Sequence, residues 1–316
     1  MKLRDIEFGN VMGASGVQGF FGEGYWFHQP WRALGLSFKG MTFVAKTATP
    51  QLQLGNMPLS KKFTPKELFP SCVKIKIRKG LMLNAVGLSN PGLKVFLEAG
   101  KWQSRTRPFF ISITSLANTS NQRIEEIKQM TDLLGQYQHD FKAPFGIQIN
   151  LSCPNTGHDP KVLIGESSKV LDILSALDVP LMPKYSIASA PIPAMMELEQ
   201  HPQCDAICVS NTIGFGLPQI DWKKTWGTTT SPLAHLGGGG ISGKVLKPLV
   251  CQWIKDIREA GFTKPIHGGG GILGIEDVHD FHHAGASSIF IGSVASLRPW
   301  RVRRIIDCAN GLFWHR

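Results

Sequence analysis

The chain of 316 residues lacks several features that would assign it to a particular class of protein. It has no run approaching 18 consecutive apolar residues, so we expect no membrane-spanning helix. Its six cysteines are scattered, which argues against a disulfide framework in a chain of this length. Cys204 and Cys208 form the only close pair, and without a second pair nearby they match neither a zinc nor an iron–sulfur site. The sequence therefore predicts reduced thiols and no metal site.

Acidic residues are also few, with 23 Asp and Glu against 34 Lys and Arg, which gives a formal net charge of +11. Such a charge attracts anions of any kind, but no nucleic-acid recognition motif accompanies it. The first seven residues contain no hydrophobic signal core, so we expect a cytoplasmic protein with neither nucleic acid nor a membrane among its partners. Basic residues gather in the segment 60–79 and in the arginine-rich stretch 298–316. The alternating residues 73–79 predict an exposed strand with one solvated face, with a binding patch as the alternative.

What the chain has in abundance is short apolar runs separated by amphipathic stretches. Runs that are apolar almost throughout are typical of parallel strands buried on both faces, and the alternation with helices predicts an α/β protein with a (β/α)8 TIM barrel. No linker or repeat interrupts the series, so we expect a single domain over residues 1–316, with inserted loops at about 51–84 and 216–240. The expected strands cover residues 10–14, 42–47, 109–114, 146–152, 180–186, 206–211, 265–268 and 288–293, and the expected helices cover 123–137, 168–177, 194–199, 245–259 and 275–283.

Polar or glycine-rich residues follow nearly every one of these runs. In a barrel of parallel strands, the carboxyl ends of the strands share one face, and active sites are built there. The segment 146–156 is the most informative example, because the apolar residues 147, 149 and 151 alternate with Asn150 and lead into Ser152, Cys153 and Asn155. Amide, hydroxyl and thiol groups in one small volume are of little use to a packed core.

The segment 146–156 resembles the active-site strand of the dihydroorotate dehydrogenase family, and Cys153 in place of a serine is similar to the class 1 enzymes. The stretch 83–92, Leu-Asn-Ala-Val-Gly-Leu-Ser-Asn-Pro-Gly, resembles the substrate loop of the same family. The likeness extends from residue 11 to residue 293. It implies an FMN-dependent oxidoreductase acting on a CH–CH bond, which converts dihydroorotate to orotate in pyrimidine synthesis.

The resemblance also implies roles for individual residues. Cys153 is the base that removes the C5 proton while a hydride leaves C6 for flavin N5, and with a reference pKa of about 8.5 its activity should climb with pH. Lys46, from the segment Lys-Thr-Ala-Thr, lies between flavin and substrate. The expected substrate residues are Asn84, Gly87, Leu88, Asn150, Asn155, Asn211 and Thr212, and the expected FMN residues are Ala14, Ser15, Lys46, Thr47, Asn150, Lys184, Gly243, Gly270, Gly271, Gly292 and Ser293.

Two alternatives stay open from the sequence. The same flavin could act on another cyclic pyrimidine or unsaturated compound, because a ring of amides suits uracil-like rings that lack the carboxylate. A binding barrel that has lost catalysis is the alternative outside the enzymes. Beyond the substrate, the expected partners are a second copy of the chain and, from the class 1 likeness, an electron-transfer subunit carrying FAD and an iron–sulfur cluster.

Overall fold

A computed structural model describes residues 1–151 and 160–313 of the chain, without the side chains of residues 160–164. The strands are β1 (Lys2–Leu3), β2 (Ile6–Glu7), β3 (Val11–Gly13), β4 (Val73–Lys76), β5 (Leu81–Asn84), β6 (Phe109–Ile113), β7 (Phe145–Asn150), β8 (Leu181–Tyr185), β9 (Ile207–Val209), β10 (Ile213–Gly214), β11 (Gly240–Gly243), β12 (Ile266–Gly269) and β13 (Ser288–Ile291). The helices are α1 (His28–Ala33), α2 (Leu93–Glu98), α3 (Ser120–Tyr137), α4 (Pro160–Leu174), α5 (Ile192–Met195), α6 (Trp222–Trp226), α7 (Leu246–Glu259), α8 (Ile275–Ala284), α9 (Val294–Leu297) and α10 (Val302–Leu312).

Seven strands form one parallel sheet in the order β3-β13-β12-β9-β8-β7-β6. The segment 42–48 lies against both edges of this sheet, because the Thr42 N–H donates to Val11 O at 2.8 Å and the Phe110 N–H donates to Phe43 O at 3.0 Å. The segment is held by single bridges and forms no continuous ladder, since the Lys46 N–H turns away to Gly19 O. The strand expected at 42–47 is therefore an irregular extended segment, and the fold is α/β and TIM-barrel-like.

The two faces of the curved parallel sheet bury different clusters. Alternate residues of neighbouring strands, such as Met12, Phe110, Met182 and Phe290, pack together on the concave face. The residues between them face outwards, where helices such as α3, α7 and α8 cover them with a larger apolar cluster. Every second side chain of each strand therefore points to the concave face. The last of these side chains in each strand lies at the carboxyl end of that strand.

Helices α3, α7 and α8 begin and end within three residues of where the sequence predicts. At the start of α3, the Thr119 hydroxyl accepts a hydrogen bond from the Gln122 N–H, and the Gln122 side chain accepts one from the Thr119 N–H. Helix α4 begins at Pro160, earlier than the expected residue 168, and α5 ends at Met195, before the expected residue 199. Helices α1, α6, α9 and α10 had no expected counterpart. No helix in the described ranges is long and apolar enough to cross a membrane.

A second sheet connects the two regions that the sequence marks as insertions. Strands β10, β11, β5 and β4 pair antiparallel in that order, with Asn84 opposite Gly240. Leu83 and Asn84 are therefore the end of a strand, where the sequence suggested the start of a loop. The pairing brings residues near position 84 and residues near position 240 to the same place, above the carboxyl ends of the parallel strands.

Candidate active site

A cavity of ≈740 Å³ opens at the carboxyl ends of the parallel strands, under the antiparallel sheet. It gathers side chains and loops that are far apart in the sequence. The expected site residues that line it are Ala14, Ser15, Lys46, Thr47, Asn84, Gly87, Leu88, Asn150, Lys184, Asn211, Thr212, Gly270, Gly271, Gly292 and Ser293.

Three of the expected residues lie elsewhere or outside the described residues. Gly243 does not line the cavity but packs behind it, against Gly80 and Leu81, with its carbonyl close to Gly271. Cys153 and Asn155 fall in 152–159, which is outside the described residues. The structure thus brings together every described member of the expected set except Gly243.

Two lysines reach the cavity from the concave side of the parallel sheet. The Lys46 ammonium donates to Ser89 O at 2.5 Å and lies 4.6 Å from the centre of the Phe20 ring. Lys184 is buried, and its ammonium lies 5.7 Å from the centre of the Phe290 ring. Burial disfavours both cations, so it lowers the pKa of Lys46 to about 7 and also lowers the pKa of Lys184. Both ammonium groups would be stabilised by an anion or a polar ring in the cavity.

Amide side chains form a connected group at the ends of β7 and β9. The Asn211 Nδ2 donates to Asn150 Oδ1 at 2.8 Å, and Asn211 Oδ1 accepts from the Thr212 N–H at 3.0 Å. Asn150 is held in turn, because its backbone carbonyl accepts from the Thr114 hydroxyl at 2.7 Å. Asn84 approaches from the antiparallel sheet, with its Nδ2 at 3.5 Å from Gly240 O. These amides offer both donors and acceptors in fixed orientations to a planar polar ring.

A chain of hydroxyl groups supports the opposite wall. The Ser15 hydroxyl donates to Ala45 O at 2.9 Å and lies 3.0 Å from the Thr47 hydroxyl. The Thr47 hydroxyl lies 2.9 Å from the Ser112 hydroxyl, which is fully buried. This chain joins β3, the segment 42–48 and β6, and it fixes the backbone on either side of Lys46.

Glycines and backbone N–H groups make up the end of the cavity near β12 and β13. Gly271 has a left-handed backbone, and a Cβ atom there would lie 2.7 Å from Gly243 O and 2.9 Å from the backbone nitrogen of Lys247. Among the described residues, the backbone N–H groups of Gly270, Gly271 and Ser293 donate to no protein acceptor. Unsatisfied N–H groups on a cavity wall form an anion-binding surface.

The structure adds cavity residues that the sequence reasoning did not single out. Ser210 and Ser242 line the wall beside the amides, and Phe290 lies under Lys184. Ser242 could have been found, because it stands in the Gly-Ile-Ser-Gly motif directly before Gly243. The aromatic side chains at residues 25–27 also line the cavity and carried no recognisable motif.

Buried thiols and a buried histidine lie away from the cavity or beneath it. Burial raises the pKa of Cys204 and Cys208 to about 12, which keeps both as neutral thiols. The ring of His267 is fully buried with Nδ1 at 2.8 Å from the Ser288 hydroxyl, and burial lowers the pKa of His267 to about 3. In the part of the chain that the structure describes, no cluster of three or more His, Cys, Asp or Glu is arranged to hold a metal ion.

The chain is similar to known proteins over nearly its whole length. The family model described as dihydroorotate dehydrogenase matches residues 1–310. The dihydroorotate dehydrogenase B (NAD(+)) catalytic subunit of Geobacillus kaustophilus is 30% identical over 306 residues, which cover 94% of this chain and 84% of that protein. The same subunit of Listeria monocytogenes serotype 4b is 29% identical, covering 94% of this chain and 87% of its own length.

A solved structure is similar in fold. A ligand-free DHODH from Eimeria tenella superimposes with a TM-score of 0.60 at 19% identity, covering 87% of this chain and 78% of that chain. The fold, the cavity and the match over nearly the whole length show that the chain belongs to the dihydroorotate dehydrogenase family, whose members are oxidoreductases that act on a CH–CH bond in pyrimidine biosynthesis.

Proposed function

We propose that the chain is an FMN-dependent oxidoreductase that converts dihydroorotate to orotate, with the cavity as its active site. The observation that carries the proposal is the convergence of Lys46, the buried Lys184, a connected amide group and a glycine cradle on one cavity, in a chain of this family. A packed core would have no use for these groups at one place.

The residues at the glycine end fit the phosphate of FMN. The free N–H groups of Gly270, Gly271 and Ser293 supply donors, and the absence of a side chain at Gly271 lets a phosphate approach the backbone. Lys184 would lie under the ring system and compensate negative charge on it, because burial leaves this ammonium in need of a counter-charge. When bound, FMN would accept the hydride that leaves C6 of dihydroorotate at its N5 atom.

The remaining groups would hold the substrate and move its proton. Asn150 and Asn211 would bind the ring through paired donors and acceptors, with Asn84 and the backbone at residues 87–88 gripping the carboxylate. Cys153 would remove the C5 proton. Asn155 and Thr212 would complete the substrate contacts, while Ala14, Ser15, Thr47, Gly243 and Gly292 would complete those to FMN.

Lys46 would act between cofactor and substrate. Its pKa of about 7 means that the ammonium is close to deprotonation at neutral pH when no anion lies beside it. An anionic substrate beside it would raise that pKa again, because a nearby opposite charge favours the charged form. Binding of dihydroorotate would then fix Lys46 in its protonated state, facing the reaction centre.

Architecture and partners are part of the proposal. We take residues 42–48 as the eighth strand of a complete (β/α)8 barrel, forming a single domain over residues 1–316 with insertions at 51–84 and 216–240. The relatives are named as NAD(+)-type catalytic subunits, which supports a separate electron-transfer subunit carrying FAD and an iron–sulfur cluster. A homodimer is also proposed, on the family resemblance alone.

The test is the visible spectrum of the purified protein, recorded without oxygen before and after addition of dihydroorotate. We expect a flavin spectrum that bleaches, and a Cys153→Ala variant whose flavin spectrum is intact but bleaches about 100- to 10,000-fold more slowly, since that is the usual contribution of a positioned base. A flavin that bleaches with another cyclic pyrimidine and not with dihydroorotate would move the proposal to that substrate. A protein without flavin would refute it.

A further inference from the structure

The cavity opens to solvent through a group of apolar side chains that the proposed function leaves unused. Trp26, Leu68, Phe69, Ile75 and Ile77 line its mouth and are 41%, 62%, 80%, 45% and 61% exposed, respectively. We call these five residues the cavity rim. Scattered exposed apolar residues are ordinary, but several around one opening mark a surface that meets a partner.

The cavity rim is a built structure. The Trp26 indole N–H donates to Leu68 O at 2.6 Å, and the Trp26 ring meets the Phe69 ring edge-on with 5.1 Å between centres. Behind them, the Tyr25 and Phe27 rings are stacked with 5.4 Å between centres. Trp26, Leu68 and Phe69 are therefore held in a fixed arrangement by aromatic contacts and one hydrogen bond from a side chain to the backbone.

Strand β4 and the 3-10 turn that follows it at residues 77–79 show the same bias towards apolar exposure. Ile75 and Ile77 face outwards, while Lys76 between them folds inwards, where its ammonium donates to Trp226 O and lies 4.7 Å from the centre of the Trp226 ring. Lys79 is likewise tied to Thr225 O at 3.2 Å. Burial of apolar surface would favour the opposite arrangement, so the isoleucines are exposed against the hydrophobic effect. In the alternating residues 73–79, the solvent-exposed side chains therefore include the isoleucines as well as basic residues.

The charge around the cavity rim points to the chemistry of the partner. Residues 61–79 contain seven basic residues and one acidic residue. Within the described ranges, the side chains of Lys61, Lys62, Lys66, Lys74 and Arg78 form no ion pair. Lysine is depleted at protein–protein interfaces, whereas exposed aromatic and aliphatic residues among lysines are typical of segments that lie on anionic lipid.

We propose that the cavity rim docks the chain on an anionic lipid surface. Leu68, Phe69, Ile75 and Ile77 would enter the boundary between head groups and acyl chains, and the unpaired basic residues of 61–79 would bind lipid phosphates. The expectation of no membrane partner rested on the lack of an apolar span, and a surface contact needs none. The mouth of the cavity would then face the lipid. This inference rests on the exposed surface and stands apart from the proposed reaction.

The test is flotation of the full-length, flavin-loaded protein with lipid vesicles. We expect binding to vesicles of phosphatidylcholine with an equal part of phosphatidylglycerol, and none to phosphatidylcholine alone. The double variant Leu68→Ser/Phe69→Ser should bind at least tenfold more weakly, because two large apolar side chains no longer enter the lipid. Leu34→Ser is the matched control, since Leu34 is 71% exposed and does not line the cavity.

Charge is tested separately with Lys61→Gln/Lys62→Gln, which should weaken binding by about fivefold per lysine and reduce its dependence on salt. The proposal is overturned if the wild-type protein does not bind anionic vesicles at low salt, or if the Leu68→Ser/Phe69→Ser variant binds them with the affinity of the wild type. It is also overturned if light scattering finds a dimer that the Leu68/Phe69 variant converts to monomer, because a second copy would then cover the rim. No vesicle experiment contains dihydroorotate, so failure here leaves the proposed reaction untouched.

Discussion

Replacing Gly271 by alanine tests whether the glycine cradle holds the FMN phosphate. The residue has φ +87°, and an added Cβ would lie 2.7 Å from Gly243 O and 2.9 Å from the backbone nitrogen of Lys247. Gly237 is the matched control, because it has nearly the same φ of +84° but nothing within 4 Å of an added Cβ. Both alanine variants bear the cost of a left-handed backbone, about 1–2 kcal/mol. Only the Gly271 variant must also move its backbone N–H.

We expect Gly271→Ala to weaken FMN binding by about 10- to 100-fold, since loss of one hydrogen bond to a charged group costs about 1.5–3 kcal/mol. Gly237→Ala should lose only the cost of the left-handed backbone, about 1–2 kcal/mol of the free energy of unfolding in urea, and should bind FMN as the wild type does. Affinity is measured by titrating flavin-free protein with FMN and following flavin fluorescence. Equal FMN affinities for Gly271→Ala and wild type would refute the assignment of this cradle to the phosphate.

Three further predictions concern charge and polar contacts. In flavin-free folded protein, Lys46 has a pKa of about 7. Between about pH 7 and pH 10 the unfolded chain therefore binds more protons at Lys46 than the folded chain does, and the free energy of unfolding rises with pH. Lys46→Met should lack this rise in urea titrations. Asn211→Asp should raise KM for dihydroorotate at least tenfold with an unchanged flavin spectrum, because a donor to Asn150 becomes a negative charge. Arg123→Met should destabilise the protein by about 3–5 kcal/mol, since it removes the guanidinium that pairs with the buried carboxylate of Glu166, and Glu166→Leu added to it should restore most of the loss.

Each of these has an outcome that would contradict it. A pH dependence of stability that is the same in wild type and Lys46→Met would mean that Lys46 is not the group that titrates. An unchanged KM in Asn211→Asp would remove this amide from the substrate site. If the double variant at positions 123 and 166 is no more stable than Arg123→Met alone, the loss comes from packing or from the hydrogen bonds of Arg123 to the carbonyls of Ala117 and Asn118, not from the broken ion pair with Glu166.

The sequence predicted the parallel strands well because each is buried on both faces and is therefore a short apolar run. Strands β6, β7, β8, β9, β12 and β13 all begin and end within two residues of the expected bounds. The missed helix α10 also had a signal, since Val302, Ile305, Ile306 and Ala309 are its buried residues and follow helical spacing. The arginines between them drew attention to charge and hid the amphipathic pattern.

The contacts between the two inserted regions could not be predicted in the same way. Asn84 pairs with Gly240 across 156 residues of sequence. Neither strand has enough alternation to identify its partner, because register between distant strands depends on how the rest of the chain brings them together. The same holds for Lys46, whose partner is the carbonyl of Ser89 in a different loop.

Taken by itself, the sequence determined which residue types stand at the ends of the parallel strands. It therefore also determined that amides, lysines and glycines would gather at the carboxyl-terminal edge of the sheet. Local periodicity is enough for that, because it depends on neighbours along the chain. Only the tertiary structure decided which of these groups touch, that burial lowers the pKa of Lys46, and that Ile75 and Ile77 face solvent while Lys76 is packed. Hydrogen-bond partners, desolvation and exposure depend on atoms brought together from distant parts of the chain, and no local pattern contains them.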